Sequence, residues 1–231
     1  MKTLRVLSGG AAQGLVDALR ADFEAVSGCR IDGVFGAVGA MRERLLGGEP
    51  ADLMILSRAL IDGLARDGRV DAASTRDIGI VETAVAVRGD DPAPPIDSAE
   101  QLRSALLAAD AVHFPDPAQA TAGIHFAGVL EKLGLGDVLA ARLRPAPNGA
   151  TAMRALAAST EARPIGCTQA TEILSTPGIA VVGPLPPGCD LATTYSCAIT
   201  TTSAMTPDAA QLAALLAGDA HRGLRRRLGF S

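Results

Sequence analysis

Apolar positions follow two alternating rhythms along the chain. Short apolar runs are closed by glycine-containing turns, and each is followed by a stretch in which apolar residues recur every three or four positions. Leu4-Arg5-Val6-Leu7 reads as a strand closed by Ser8-Gly9-Gly10, and residues 12–26 place Leu15, Ala18, Leu19 and Val26 at helical spacing. Ile31 to Phe35 reads as a second strand, closed by Gly36-Ala37-Val38-Gly39 and followed by a helix over 39–47. Asp52 to Leu56 reads as a third strand, followed by a helix over 58–67 that Gly68 stops. Three strand–helix units in residues 1–70 predict a parallel sheet covered by helices.

The rhythm continues with a long strand over 78–88 and a loop at Asp90-Asp91-Pro92-Ala93-Pro94-Pro95. Ser98 is placed to cap a helix over 99–108. Strands are predicted at 111–114, 164–168, 179–182 and 193–201, and helices at 121–133, 149–158, 207–218 and 220–228. No repeat and no low-complexity linker divides the chain. An α/β chain of this length without a linker implies lobes assembled from separate stretches. The strands at 80–88 and 192–201 are the natural crossing points. The expectation is one lobe of 1–82 plus 194–231, a second of 83–193, and a ligand cleft between them at the hinge.

Composition narrows the function. With 48% apolar residues the chain has ample material for a core, and no apolar run reaches the ~18 residues of a membrane span. The net charge is −4, and the one basic run, Arg225-Arg226-Arg227, lies near the C-terminus. Together with 3% aromatic residues, this excludes a nucleic-acid-binding face. Cys29, Cys167, Cys189 and Cys197 form no Cys-x-x-Cys and lie at no zinc spacing to a histidine, so they read as small buried apolar residues and no metal is expected. The stretch before Ser8-Gly9-Gly10 is too short for a signal-peptide core, so the expected compartment is the cytoplasm. A mature exported chain carrying an added Met would instead be periplasmic.

Candidate chemistry gathers at strand-to-helix turns. Ser8-Gly9-Gly10-Ala11 and Gly36-Ala37-Val38-Gly39 each end a strand and open a helix, where unpaired N–H groups and the helix dipole suit an anion. Asp116-Pro117 through Ala122-Gly123, with Thr121, leads into a third helix start, and Asn148-Gly149 into a fourth. Neither glycine turn fits a dinucleotide or phosphate-loop motif, so no nucleotide cofactor is implied. His113 ends a strand, and His125 lies in the first turns of a helix, where a neutral imidazole suits proton transfer. His221, beside the basic run, reads as a surface residue. Tyr195 is the chain's one tyrosine, and Gln169 follows the strand Pro164-Ile165-Gly166-Cys167-Thr168.

Several of these segments resemble a known family. Phe35-Gly36-Ala37-Val38-Gly39, Gly48-Glu49-Pro50-Ala51-Asp52-Leu53, Asp116-Pro117-Ala118, Ala122-Gly123-Ile124, Leu130-Glu131-Lys132-Leu133-Gly134, Pro164-Ile165-Gly166 and Arg227-Leu228-Gly229-Phe230 resemble the periplasmic molybdate-binding proteins. The resemblance covers nearly the whole chain and implies the α/β type II periplasmic-binding-protein fold. It also implies ligand positions at Ala11, Val38 or Gly39, Ala122, Gly149 and Gln169. The family's two serines and its tyrosine fall on Ala11, on Val38 or Gly39, and on Gln169, so all three hydroxyl donors are missing here. Each loss costs an anion roughly 1.5–3 kcal/mol of binding.

Val85-Ala86-Val87-Arg88, Val182-Gly183-Pro184-Leu185-Pro186 and Thr194-Tyr195 are similar to the aconitate isomerase branch of the same superfamily. That resemblance implies a monomeric enzyme that holds a small carboxylate without cofactor and shifts a proton along it. His113, His125, Asp116 and Tyr195 are its candidate proton-transfer residues. The wider family implies instead a solute-binding subunit that hands an anion to an ABC permease.

Overall fold

The computed structural model describes residues 2–231. The chain divides into two compact units, residues 1–81 with 193–231 and residues 82–192.

The first unit opens with β1 (Lys2–Gly9), α1 (Gln13–Ser27), β2 (Cys29–Gly36), α2 (Val38–Leu46), β3 (Leu53–Ser57) and α3 (Arg58–Arg66). A 3₁₀ turn over Gly10–Ala12 precedes α1. β1 lies between β2 and β3 and is parallel to both. The three strands therefore end at one edge of the sheet, where α1, α2 and α3 begin. Alternation places Leu4 and Val6 inside, and the helical spacing of Leu15, Leu19 and Phe23 buries that stripe completely.

The second unit begins within β4 (Arg76–Arg88) and runs through α4 (Ala99–Ala108), β5 (Ala111–Pro115), α5 (Thr121–Lys132), α6 (Gly136–Leu139), β6 (Leu143–Ala146), α7 (Gly149–Ala157), β7 (Pro164–Gln169), α8 (Ala170–Leu174) and β8 (Ile179–Pro184). β5 is parallel to β6 and β7, while β7 and β8 are antiparallel to β4. Two apolar clusters cover the two faces. Val85, Val87, Val112, Phe114, Ile165 and Cys167 pack with Leu102 and Phe126 on one face. Ala84 and Ala86 pack with Ala152, Met153, Leu156 and Ile173 on the other. Phe114 meets Phe126 edge-on, with ring centroids 5.5 Å apart.

The chain then returns to the first unit through β9 (Ala192–Ile199), which is antiparallel to β3, and ends in α9 (Thr206–Ala217) and α10 (Arg222–Arg227). Three elements go beyond the sequence pattern. β6, α6 and α8 are four or five residues long, too short to show a period. All four cysteines are buried free thiols.

Candidate anion sites at the helix-start edges

In the first unit, Gly9, Ala37 and Ser57 stand at the N-caps of the 3₁₀ turn, α2 and α3, and none supplies a side-chain cap. The expected positions here are Ser8, Gly9, Gly10, Ala11, Val38 and Gly39. Ser8 is fully buried, and its hydroxyl donates to the Gly9 carbonyl at 2.9 Å. Ala11 and Val38 are buried aliphatic residues. A Cβ on Gly9 would lie 2.7 Å from Val38 Cγ1 and 3.2 Å from the Tyr195 ring. Gly9, Val38 and Tyr195 thus converge, and Val38 leaves no room for a side chain at Gly9.

The parallel strands of the second unit also end at one edge. There α5, α7 and α8 begin, the edge at which open α/β sheets carry ligands. α5 starts from Ala120 without a side-chain cap, so Thr121 and the buried Ala122 sit in an open first turn. Gly123 allows this turn to press on the preceding loop. A Cβ there would lie 2.2 Å from the Asp116 carbonyl oxygen and 2.4 Å from that of Pro115.

Strand alternation puts Thr83 and Gln169 on the α5 face, in line with Val85 and Cys167, and the two are direct cross-strand partners. Both are almost fully buried, at 1% and 2% exposure, and neither the Thr83 hydroxyl nor either end of the Gln169 amide has a hydrogen-bond partner. Buried polar atoms are normally paired, because leaving one unpaired costs about 1–3 kcal/mol. Two unpaired neighbours at a helix-start edge make it a candidate place for a polar ligand.

The opposite face of this unit holds a group that the sequence did not single out. Glu172, in the first turn of α8 and 7% exposed, lies against the start of α7. Thr168 Oγ1 donates to its Oε2 at 2.6 Å. A Cβ on Gly149 would stand 1.8 Å from that same oxygen, so glycine is required there. Burial pushes the Glu172 carboxyl up to about 7, against the opposing pull of the Thr168 hydroxyl and the Ala150 and Gln169 N–H groups. Asn148 caps α7 by accepting from Thr151 N at 2.9 Å. The fourth expected helix start is therefore engaged by the chain's own side chains, Asn148 and Glu172.

The remaining candidates scatter. His113 lies on the α7 face of β5, beside Gly166, 6% exposed and with both ring nitrogens unpartnered. Burial holds its pKa below the usual imidazole range, with Glu161 opposing, so the ring is neutral at pH 7. His125 Nε2 lies 2.7 Å from the Cys189 carbonyl oxygen, which ties the ring to the α5 face. One Asp116 carboxylate oxygen accepts the N–H groups of Ala118 and Gln119, an Asx turn that shapes the loop before α5. His221 belongs to the 3₁₀ turn before α10. An apolar cavity lined by Val87, Pro92, Ala105 and Ile165 opens near Pro164, at the start of β7 and away from the helix-start edge.

A family model for bacterial extracellular solute-binding proteins matches residues 4–231. The chain belongs to this family. As a solute-binding-protein family member, it is 30% identical over 215 residues to aconitate isomerase from a Pseudomonas species, a match covering 90% of this chain and 79% of that protein. Among solved structures, the periplasmic molybdate-binding protein of Azotobacter vinelandii matches with a TM-score of 0.81 at 19% identity, over 99% of this chain and 98% of its own. The sulfate-binding protein SubI of Mycobacterium tuberculosis H37Rv matches with a TM-score of 0.76 at 16% identity, over 100% of this chain and 86% of its own. At those identities the likenesses establish the fold alone, the α/β type II periplasmic-binding-protein fold.

Proposed function

We propose that this protein is a cofactor-independent isomerase of a small unsaturated polycarboxylate, interconverting trans- and cis-aconitate. The observation that carries the reading is the pair of buried, unpartnered groups, Thr83 and Gln169, beside the uncapped start of α5. The 30% identity to aconitate isomerase supports the choice of substrate. A carboxylate accepting from Gln169 Nε2, the Thr83 hydroxyl and first-turn N–H groups would satisfy these donors at once. The uncapped starts of the 3₁₀ turn and α2 offer comparable backbone donors in the first unit.

In the reaction, a base removes a proton from the methylene carbon next to one carboxylate. Negative charge spreads as a dienolate onto carboxylate oxygens, where aligned N–H donors stabilise it. An acid then returns a proton two carbons away. The carbon skeleton is the same read from either end, so the product is again aconitate, and its geometry about the new double bond is free to differ.

The deciding experiment incubates the purified protein with trans-aconitate and separates the isomers by chromatography. Accumulation of cis-aconitate, in the presence of a chelator as well as without it, is the expected result. The family's solute-binding members and the molybdate- and sulfate-binding neighbours favour a second reading, a periplasmic receptor that delivers an oxyanion to an ABC permease. Sub-micromolar molybdate or sulfate binding by calorimetry, with no aconitate conversion, would establish that reading instead. The isomerase reading goes with a cytoplasmic monomer.

Thr83→Val gives a second check. The substitution preserves shape and deletes a hydroxyl that is unpaired without ligand, so the free protein should gain about 1 kcal/mol in denaturant unfolding. Aconitate binding should weaken by roughly tenfold, the equivalent of one hydrogen bond to a charged group. A variant that loses stability and binds normally would remove Thr83 from the site.

A further inference from the structure

We propose that the turn ending α10 forms a further binding site, for a phosphate monoester, in a cavity that Arg222, Arg225 and Arg226 line together with Ile78 and Phe230. The site shares no residue with the candidate anion sites above and stands independently of the isomerase reading.

The backbone builds the cavity. α10 is followed by Gly229 in the left-handed region, at φ 92°. There the Gly229 N–H donates to the Arg226 carbonyl and the Phe230 N–H to the Arg225 carbonyl. This is the Schellman ending of a helix, and it folds the chain back over the last turn. Ser231 then pairs with Ile80 of β4 through both of its main-chain groups, each at 2.9 Å. Gly79 permits this approach, because a Cβ there would lie 3.0 Å from the Ser231 carbonyl oxygen and 3.1 Å from Phe230 Cβ. Ile78 and Phe230 are each 3% exposed. They line a cavity of about 210 Å³ with Ser231 and the three arginines. A single water needs only about 10–15 Å³.

Charge gives the cavity its chemistry. Spacing of three and four residues puts Arg222, Arg225 and Arg226 on one face of α10. Arg225 is only 8% exposed. Its Nη1 donates to the Leu216 and Gly218 carbonyls at 3.1 and 2.7 Å, closing the C-terminal end of α9. That engages one of three guanidinium nitrogens. Among the described residues, Nε and Nη2 have no partner, and neither Arg225 nor Arg226 has an ion pair. Arg222 pairs with Asp219 at 2.5 Å, but both are largely exposed, so the pair is weak and screened by salt. Three guanidinium groups thus gather beside one carboxylate, a surplus of two positive charges.

The Nε–Nη2 edge of Arg225 carries two parallel N–H groups, the fork that a phosphate accepts bidentately. An anion there would supply the counter-ion that this buried cation lacks. A phosphate monoester carries about −1.5 to −2 charges at pH 7, which matches the surplus as a single carboxylate does not. Ile78 and Phe230 offer apolar contact to the organic part of an ester.

Calorimetry on the full chain with phenyl phosphate, inorganic phosphate and benzoate, at fixed ionic strength, tests the site. Wild type should bind one phenyl phosphate, and both other anions more weakly. Arg222→Ser and Arg226→Ser should each weaken phenyl phosphate binding by roughly tenfold, the equivalent of one charged hydrogen bond. Both positions are exposed, so neither variant threatens the fold. Arg163→Ser, at an exposed arginine of the second unit, should bind as wild type does. Absence of saturable phenyl phosphate binding, or equal affinity in all three variants, overturns the site. Benzoate binding as tightly as phenyl phosphate overturns the phosphate assignment, and inorganic phosphate binding as tightly overturns the ester. Flotation with phosphatidylcholine vesicles, with and without phosphatidate, separates two sources of the same group. Capture by phosphatidate that Arg226→Ser abolishes names a lipid headgroup, and phenyl phosphate binding without such capture names a soluble ester.

Discussion

Gly149→Ala should lose roughly 1–3 kcal/mol of stability, although alanine is the better helix former. Gly149 is the first residue of α7, and its φ is not positive, so backbone conformation gives no reason for glycine. By propensity alone the exchange would stabilise by up to about 1 kcal/mol. Packing reverses the sign. The new Cβ would fall 1.8 Å from Glu172 Oε2, 2.3 Å from Thr168 Oγ1 and 2.4 Å from Glu172 Cδ. These are the middle of a hydrogen-bonded, buried group and cannot swing aside as the end of a surface chain would. Either Glu172 leaves its seat and strands the Thr168 hydroxyl, or α7 moves away from the sheet. Gly128→Ala is the control. It lies inside α5 in the same unit with nothing within 4 Å of a Cβ, so alanine there should stabilise the protein. Urea unfolding of the two variants compares them directly. Equal, favourable effects would show that Glu172 is not held against α7 as described.

That contrast explains what the sequence discloses. The alternation of strand, glycine turn and helix is a local pattern, and it delivered β1 to β3, their helices and the two-unit α/β fold. It also delivered the expectation that helix starts carry the chemistry, because a turn between a strand and a helix is a contiguous feature. β6 escaped because it is a four-residue strand containing Arg144 and Pro145, with no period long enough to read. Gly149 and Gln169 entered as a helix start and a strand end, and again through family resemblance, neither of which says what surrounds them. Glu172 left no local signal. An acidic residue in the first turn of a helix is the ordinary complement to the helix dipole, and its role depends on where α7 starts in space. Thr83 is equally silent, since threonine in a strand is simply a good strand former. Its significance comes from Gln169 lying across from it on β7, more than eighty positions later in the chain. His113 is equally silent: its burial in the sheet, which no local pattern shows, holds its pKa below the usual imidazole range.

Glu172 should also leave a signature in the stability of the free protein, with a sign opposite to that of most carboxylates. Its pKa rises from 4.5 when exposed to about 7 in the fold. Below about pH 4.5 the group is protonated in both states and costs nothing. Between about 4.5 and 7 the unfolded chain ionises first, and folding must keep a proton on the buried carboxyl. Above about 7 the folded protein carries a buried charge, and the full loss of about 3 kcal/mol is reached. Carboxyls with lowered pKa run the other way. Hydrogen bonds from Ser196 and Arg58 hold Asp77 below its usual range, and the Ser159 hydroxyl does the same for Glu161, so both lose stability as pH falls. The net curve mixes these effects, but the difference between wild type and Glu172→Gln isolates one group. Glutamine has the shape of the protonated acid and does not titrate. Urea unfolding at pH 5, 6, 7 and 8 should therefore show the variant gaining on wild type by about 2.5 kcal/mol across the range, most of it between pH 5 and 7. The constant cost of altered hydrogen bonding to Thr168 cancels from that slope. A difference that stays flat from pH 5 to 8 would mean that Glu172 is ionised in the fold throughout that range.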